Sequence, residues 1–201
     1  MRILIVEEAL ETGAGHWPHY IGGLAAGFRA AGDEVDVLVH RKATEAVVEQ
    51  VGGTRWLRRN CWLDSRSQGR VGGLQHSWFF YRDVLSWLGQ QEPPYDWILM
   101  LTMRHQHLPA VGKLSRELGN TKLLLLFVQG FGVYGGMGKP VAFPQSASNR
   151  LAHFCFRLMG KAVRRGQCVL GAETEGMRQE LEQFSGLPAK LFPHPVPVPE
   201  V

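Results

Sequence analysis

Four short stretches of this 201-residue chain carry groups suited to chemistry. The first is the turn Gly13-Ala-Gly15-His16. Glycine admits positive φ and close backbone approach, and N–H groups at the start of a helix hold phosphate or another anion well. The second is Met103-Arg-His-Gln-His107, where His105 and His107 could bind an acceptor or move a proton near neutral pH. Exposed loop histidines with no role are an equal reading of that pair. The third starts at Gln129 and includes Gly130 and Gly132, with five glycines in ten residues. It could cradle a ligand, act as a lid or simply move. Lys139 is not a P-loop lysine, because Pro140 stands where Ser or Thr is required. The fourth, 54–70, sets Arg55, Arg58, Arg59, Arg66 and Arg70 among Trp56, Leu57, Trp62 and Leu63, with Asp64 as its single acid. Arg55, Arg58 and Arg59 could touch an anionic membrane surface or a phosphate. A strand with a solvated arginine edge is the preferred, plainer reading.

The elements that must position these groups follow from apolar patterning. Ile3 to Val6 is an apolar run too short for a buried helix and predicts a core strand. A helix follows from Pro18 through Tyr20, Leu24 and Phe28 to a stop at Gly32. Alternating valines predict a strand over 34–39, and a short helix over 44–51 ends at Gly52-Gly53. Leu74, Trp78, Tyr81, Leu85 and Leu88 recur at helical spacing and predict a core-facing stripe on a helix over 73–89. Continuous apolar runs at 96–102 and 122–128 predict strands of the buried parallel type. A helix over 108–118 joins them. Beyond the glycine segment come a helix over 146–166 with Leu151, Phe154, Leu158 and Met159 inward, a strand over 168–171, a helix over 173–184 and a last strand over 190–192. Four prolines make 193–201 read as a stiff linker.

Hydrophobic residues at 45% and charged residues at 20% are ordinary globular values, and the length suits one large domain. The net charge of +4 suggests mild attraction to anions but is too small to argue for nucleic acid. Cys61, Cys155 and Cys168 are odd in number and widely spaced, so neither a disulfide framework nor a zinc motif is indicated and no metal is expected. A reducing compartment follows. The first residues do not read as a signal peptide, because the apolar run meets Glu7 and Glu8. The expected location is cytoplasmic, with contact at the inner membrane face as a variant.

Strand and helix alternate throughout, which gives an α/β class, a doubly wound and mainly parallel sheet of Rossmann-like type. The marks Met1-Arg-Ile-Leu-Ile-Val6, Gly13-Ala-Gly15-His16, Ala30-Ala-Gly-Asp-Glu-Val-Asp-Val37, Val169-Leu-Gly-Ala-Glu-Thr-Glu-Gly-Met-Arg178 and Leu191-Phe-Pro193, in this order, resemble the N-terminal half of a GT-B glycosyltransferase of the family 4 type. The resemblance implies an acceptor-side domain over 1–192, a linker over 193–201 and a second, donor-binding domain as partner in the same or a separate chain. It implies transfer of a hexose from a nucleotide-sugar co-substrate to a sugar or lipid-linked acceptor, with no tightly bound cofactor. Gly13, Gly15 and His16 would lie near the donor phosphates. The family's usual histidine at the end of the fifth or so strand is replaced by Gln129, so the catalytic role falls to Gln129 or to a neighbour such as His105 or His107. Two other classes compete. A dinucleotide-dependent oxidoreductase needs GxGxxG, but Pro18 occupies the third glycine's place and His40-Arg41 the place of the acid. A non-catalytic scaffolding domain would use the Trp and Arg segment as its contact face.

Overall fold

The apolar run after Met1 forms β1 (Arg2–Glu7), and Gly15, at φ +85°, turns the chain toward α1 (Trp17–Ala30) with Pro18 in its first turn. The computed structural model describes residues 1–13, 15–64, 69–131 and 143–193. The other elements are β2 (Glu34–His40), α2 (Glu45–Val51), β3 (Thr54–Leu57), α3 (Gly69–Leu88), β4 (Trp97–Met103), α4 (Leu108–Glu117), β5 (Lys122–Phe127), α5 (Ala147–Arg164), β6 (Cys168–Ala172), α6 (Glu175–Ser185) and β7 (Ala189–Leu191). A 3-10 turn, His105–His107, joins β4 to α4. Gly132 and the rest of the glycine segment lie outside the described residues, as does the expected linker from residue 194 onward.

Among the described residues the seven strands make one sheet in the order β3-β2-β1-β4-β5-β6-β7, and every neighbouring pair is parallel. This is the doubly wound Rossmann-like class that the alternation predicts. Ile5 lies opposite Val37 on one side and Leu99 on the other, so β1 is an interior strand beside the central β4. The winding reverses at β1 and β4, and in open parallel sheets ligands bind outside the carboxyl ends of the strands at such a reversal. Glu7, Glu8 and the Met103–His107 segment are all delivered there.

Side chains alternate between two cores, as the pleat requires. Leu4, Val6, Ile98, Met100, Leu123 and Leu125 face α3, α4, α5 and α6. Ile3, Ile5, Val37, Val39 and Leu99 face α1 and α2. Three amphipathic stripes differ from the sequence expectation. On α3, Leu74 and Trp78 are exposed and His76, Ser77, Phe80 and Val84 are buried, while Tyr81, Leu85 and Leu88 meet the core as expected. On α5, Leu151 and Phe154 are exposed, and Ala152, Cys155, Phe156 and Met159 turn inward. On α1, Ile21 and Ala25 are buried, and Tyr20, Leu24 and Phe28 instead line an open apolar groove of about 370 Å³ with Leu99, Leu124 and Phe192. In each case periodicity identified the helix and placed part of the stripe correctly, with Tyr81, Leu85, Leu88, Met159, Tyr20, Leu24 and Phe28 all against a core, but Leu74 and Leu151 border the cleft instead.

Candidate functional site

A cleft of about 490 Å³ opens beside the carboxyl ends of β4 and β5. Its wall combines Arg104, His105, Gln106 and Gln129 with Leu74, Pro109 and Leu151. His105 and Gln129, both sequence candidates, thus meet in one concavity; Arg104, which the sequence reading did not single out, joins them. The Arg104 guanidinium donates from Nε to Gln129 Oε1 at 2.8 Å and from Nη1 to the Cys61 carbonyl at 3.1 Å, and lies 4.2 Å from the Trp62 ring. Arginine and glutamine are therefore held as a pair on the cleft wall, with the cation backed by an aromatic face.

The protonation of His105 can be read from its neighbours. Asn149 directs its amide Nδ2 at two carbonyls, Pro144 at 2.9 Å and Phe131 at 3.4 Å. Its Oδ1 then faces His105 Nε2 at 3.2 Å, so Nε2 carries the proton and Nδ1 keeps the lone pair. Burial pushes the His105 pKa below its ordinary value, against the hydrogen bond to Asn149, so the ring is neutral at physiological pH. A neutral imidazole with one fixed N–H and one free lone pair can orient a hydroxyl or accept its proton. The ring packs 4.6 Å from Phe131, which stacks on Phe184 of α6 at 4.5 Å.

The turn after β5 is anchored from below. Glu180, buried on α6, accepts from the Phe131 backbone N–H, and a Cβ on Gly130 would lie 2.7 Å from the Glu180 carboxylate oxygens. The glycine at 130 makes room for a protein carboxylate. Gly13 and Gly15 have open space around them, and His16, the N-cap residue of α1, makes no side-chain capping bond and packs against Trp17. The three arginines of the 54–59 stretch each have a carboxylate: Arg55 with Glu45 at 2.8 Å, Arg58 with Asp83 at 2.6 Å, and Arg59 with Asp64 at 3.0 Å. Arg58 and Arg59 also flank the Phe79 ring.

His107 does not line the cleft. It is buried beneath it, with Nε2 3.1 Å from Glu8 Oε1, while His76 Nε2 lies 3.2 Å from Glu8 Oε2. The Cys61 backbone N–H donates to Glu8 Oε1 at 2.7 Å. Glu8 is held far below the usual carboxylate range by the two imidazoles, which overcome its burial. Burial, with the Glu8 charge beside it, drives the Cys61 thiol far up, so that it stays protonated. Next to Glu8, Glu7 accepts from Thr102 Oγ1 at 2.7 Å and the Ala9 N–H at 2.9 Å, and burial pushes it up to about 7. None of Glu8, Cys61 or His76 was a sequence candidate. They come from the end of β1, the loop after β3 and the middle of α3, so no local spacing could announce them.

Comparison of the sequence shows the family, and comparison of the structure shows the fold. The model of the glycosyl transferase 4-like domain matches residues 18–197. A search of curated proteins finds no match. Among solved structures, apo UGT2 of Phytolacca americana is 12% identical with a TM-score of 0.56, covering 96% of this chain and 51% of that one. MurG of Acinetobacter baumannii is 13% identical over 96% of this chain and 44% of its own, at a TM-score of 0.43. The SsfS6 glycosyltransferase of Streptomyces sp. SF2575 is 13% identical over 88% and 53%, at 0.44. The chain therefore spans about half the length of the solved structures it resembles. It belongs to the glycosyl transferase 4-like domain family and has the Rossmann-like fold of the N-terminal half of a GT-B glycosyltransferase.

Proposed function

We propose that this chain is the acceptor-binding half of a hexosyltransferase that draws on a nucleotide-sugar donor held mainly by a second domain. The observation that carries this reading is the cleft at the sheet reversal, whose lining brings Arg104, His105 and Gln129 together with Leu74, Pro109 and Leu151. A sugar hydroxyl suits the polar groups, and an apolar portion of an acceptor suits the apolar ones. His105, neutral with Nδ1 as acceptor, is placed to orient that hydroxyl. Arg104 supplies positive charge toward a departing phosphate. Gly13, Gly15 and His16, exposed ahead of α1, add backbone N–H groups past the carboxyl end of β1. The dinucleotide oxidoreductase reading is the weaker: Pro18 is buried within the first turn of α1, and His40 at the end of β2 is buried beside Glu11 at 3.1 Å, where an acid for a ribose would be needed.

Isothermal titration of the chain with UDP-, GDP- and dTDP-hexoses tests the division of labour. Weak or undetectable heat is expected from the chain alone. Dissociation constants of about 1 µM or tighter, some 8 kcal/mol of binding, would place the whole donor site in this half and overturn the reading.

A further inference from the structure

The buried group beneath the cleft has the donor chemistry of a transition-metal site. Among the described residues, Glu8, Cys61, His76 and His107 are the one set of three or more histidine, cysteine or acidic side chains whose ligand atoms converge, all within 4.8 Å of one another. All four are buried. Glu8 Oε2 is enclosed without an aligned hydrogen bond, although His76 Nε2 stands 3.2 Å away. We propose that Glu8 Oε2, Cys61 Sγ and His76 Nε2 bind one zinc(II) ion, and that His107 holds the other oxygen of the Glu8 carboxylate.

Geometry assigns His107 the supporting part. The Arg104 backbone N–H donates to its Nδ1 at 3.0 Å, which puts the ring proton on Nε2, 3.1 Å from Glu8 Oε1 and, like His76 Nε2 on the other oxygen, not yet aligned with it. A nitrogen bearing that proton is no ligand, but a donor fixing the far oxygen of a ligating carboxylate is a recurrent feature of metal centres. Zinc bonds of about 2.0–2.3 Å in a tetrahedron set neighbouring donor atoms about 3.3–3.6 Å apart. The separation of His76 Nε2 from Glu8 Oε2 is already 3.2 Å. The widest spacing in the group, under 4.8 Å, needs to close by only about 1 Å.

Charge balance favours the same ion. On loading, the Cys61 S–H bond breaks, a sulfur–zinc bond forms, and the proton leaves for solvent. The zinc dication, the Glu8 carboxylate, the Cys61 thiolate and a neutral His76 then sum to zero, which a buried site tolerates. Thiolate and imidazole favour zinc over magnesium or calcium. Three protein donors leave a fourth position for water. The ion would tie the end of β1 to the loop after β3 and to α3, stiffening the floor on which Arg104 rests. This inference does not depend on the sugar-transfer reading.

Metal analysis of the full chain, purified without a metal-affinity step, is expected to find about one zinc per chain. Chelator should lower its melting temperature and zinc, but not magnesium or calcium, should restore it. One equivalent of cobalt(II) added to the stripped chain should give a thiolate-to-cobalt charge-transfer band. Cys61→Ser should abolish the band and His76→Gln should abolish retention of zinc, whereas His107→Gln should keep the band and weaken zinc binding about 10–100-fold. The proposal is overturned if the wild-type chain gives no thiolate band with cobalt, or if Cys61→Ser and His76→Gln bind zinc as the wild type does. Should a variant fail to fold, the wild-type cobalt spectrum and chelator-dependent melting decide alone.

Discussion

His105 illustrates how a single side chain acquires a role from its surroundings. Its spacing in Met103-Arg-His-Gln-His107 made it one of two equivalent candidates, and the two separate completely in the fold. His105 lines the cleft with its tautomer set by Asn149, and His107 is buried against Glu8. In an enzyme carrying this domain, His105→Ala is expected to lower kcat by about 10²–10⁴-fold, the usual worth of a positioned proton acceptor, with little change in donor KM. Steady-state kinetics check this; an unchanged kcat would reduce His105 to packing on Phe131.

At the scale of the element, α5 shows what periodicity can and cannot say. Phe154 and Phe156 are two residues apart, and the structure exposes the first and buries the second fully. Phe156→Ala is expected to cost about 3–5 kcal/mol, and Phe154→Ser less than about 1, measurable as urea midpoints. Strand positions were legible because buried parallel strands are continuous apolar runs, as at β4 and β5. Helix ends were legible from Pro18, Gly32 and Gly52. The inward faces of α3 and α5 were legible only in part, through Tyr81, Leu85, Leu88 and Met159, because Leu74 and Leu151 border the cleft and so extend the apolar pattern past the core. The Glu8, Cys61, His76 and His107 cluster was hidden for a different reason: its spacing is tertiary and exists only once β1, the loop after β3, α3 and the turn after β4 have met.

For the whole molecule, sheet edges are secured by polar contacts between distant segments. Tyr95, at the start of β4, donates to Asp36 Oδ2 of β2 at 2.6 Å and accepts from Trp87 Nε1 of α3 at 2.9 Å. Burial, helped by the bond to Asp36, pushes its pKa up to about 12. Tyrosine in the unfolded chain ionises near pH 10, so from about pH 10 to 12 the unfolded state holds fewer protons than the native one and stability falls as pH rises. Below that window this residue contributes no pH dependence. Tyr95→Phe is expected to flatten the alkaline decline and to lower stability at neutral pH by about 1–2 kcal/mol, as read from denaturation curves across pH.

The interior place of β1 carries a consequence for biosynthesis. Its two flanking partners are β2, which emerges soon after it, and β4, which begins only at Trp97. A nascent chain that has not yet reached Trp97 can therefore satisfy only one edge of β1, and non-local parallel pairing of this kind is slow. Until the ribosome has released β4, the other edge of β1 is a ready template for another chain, and chaperone engagement should concentrate in that interval.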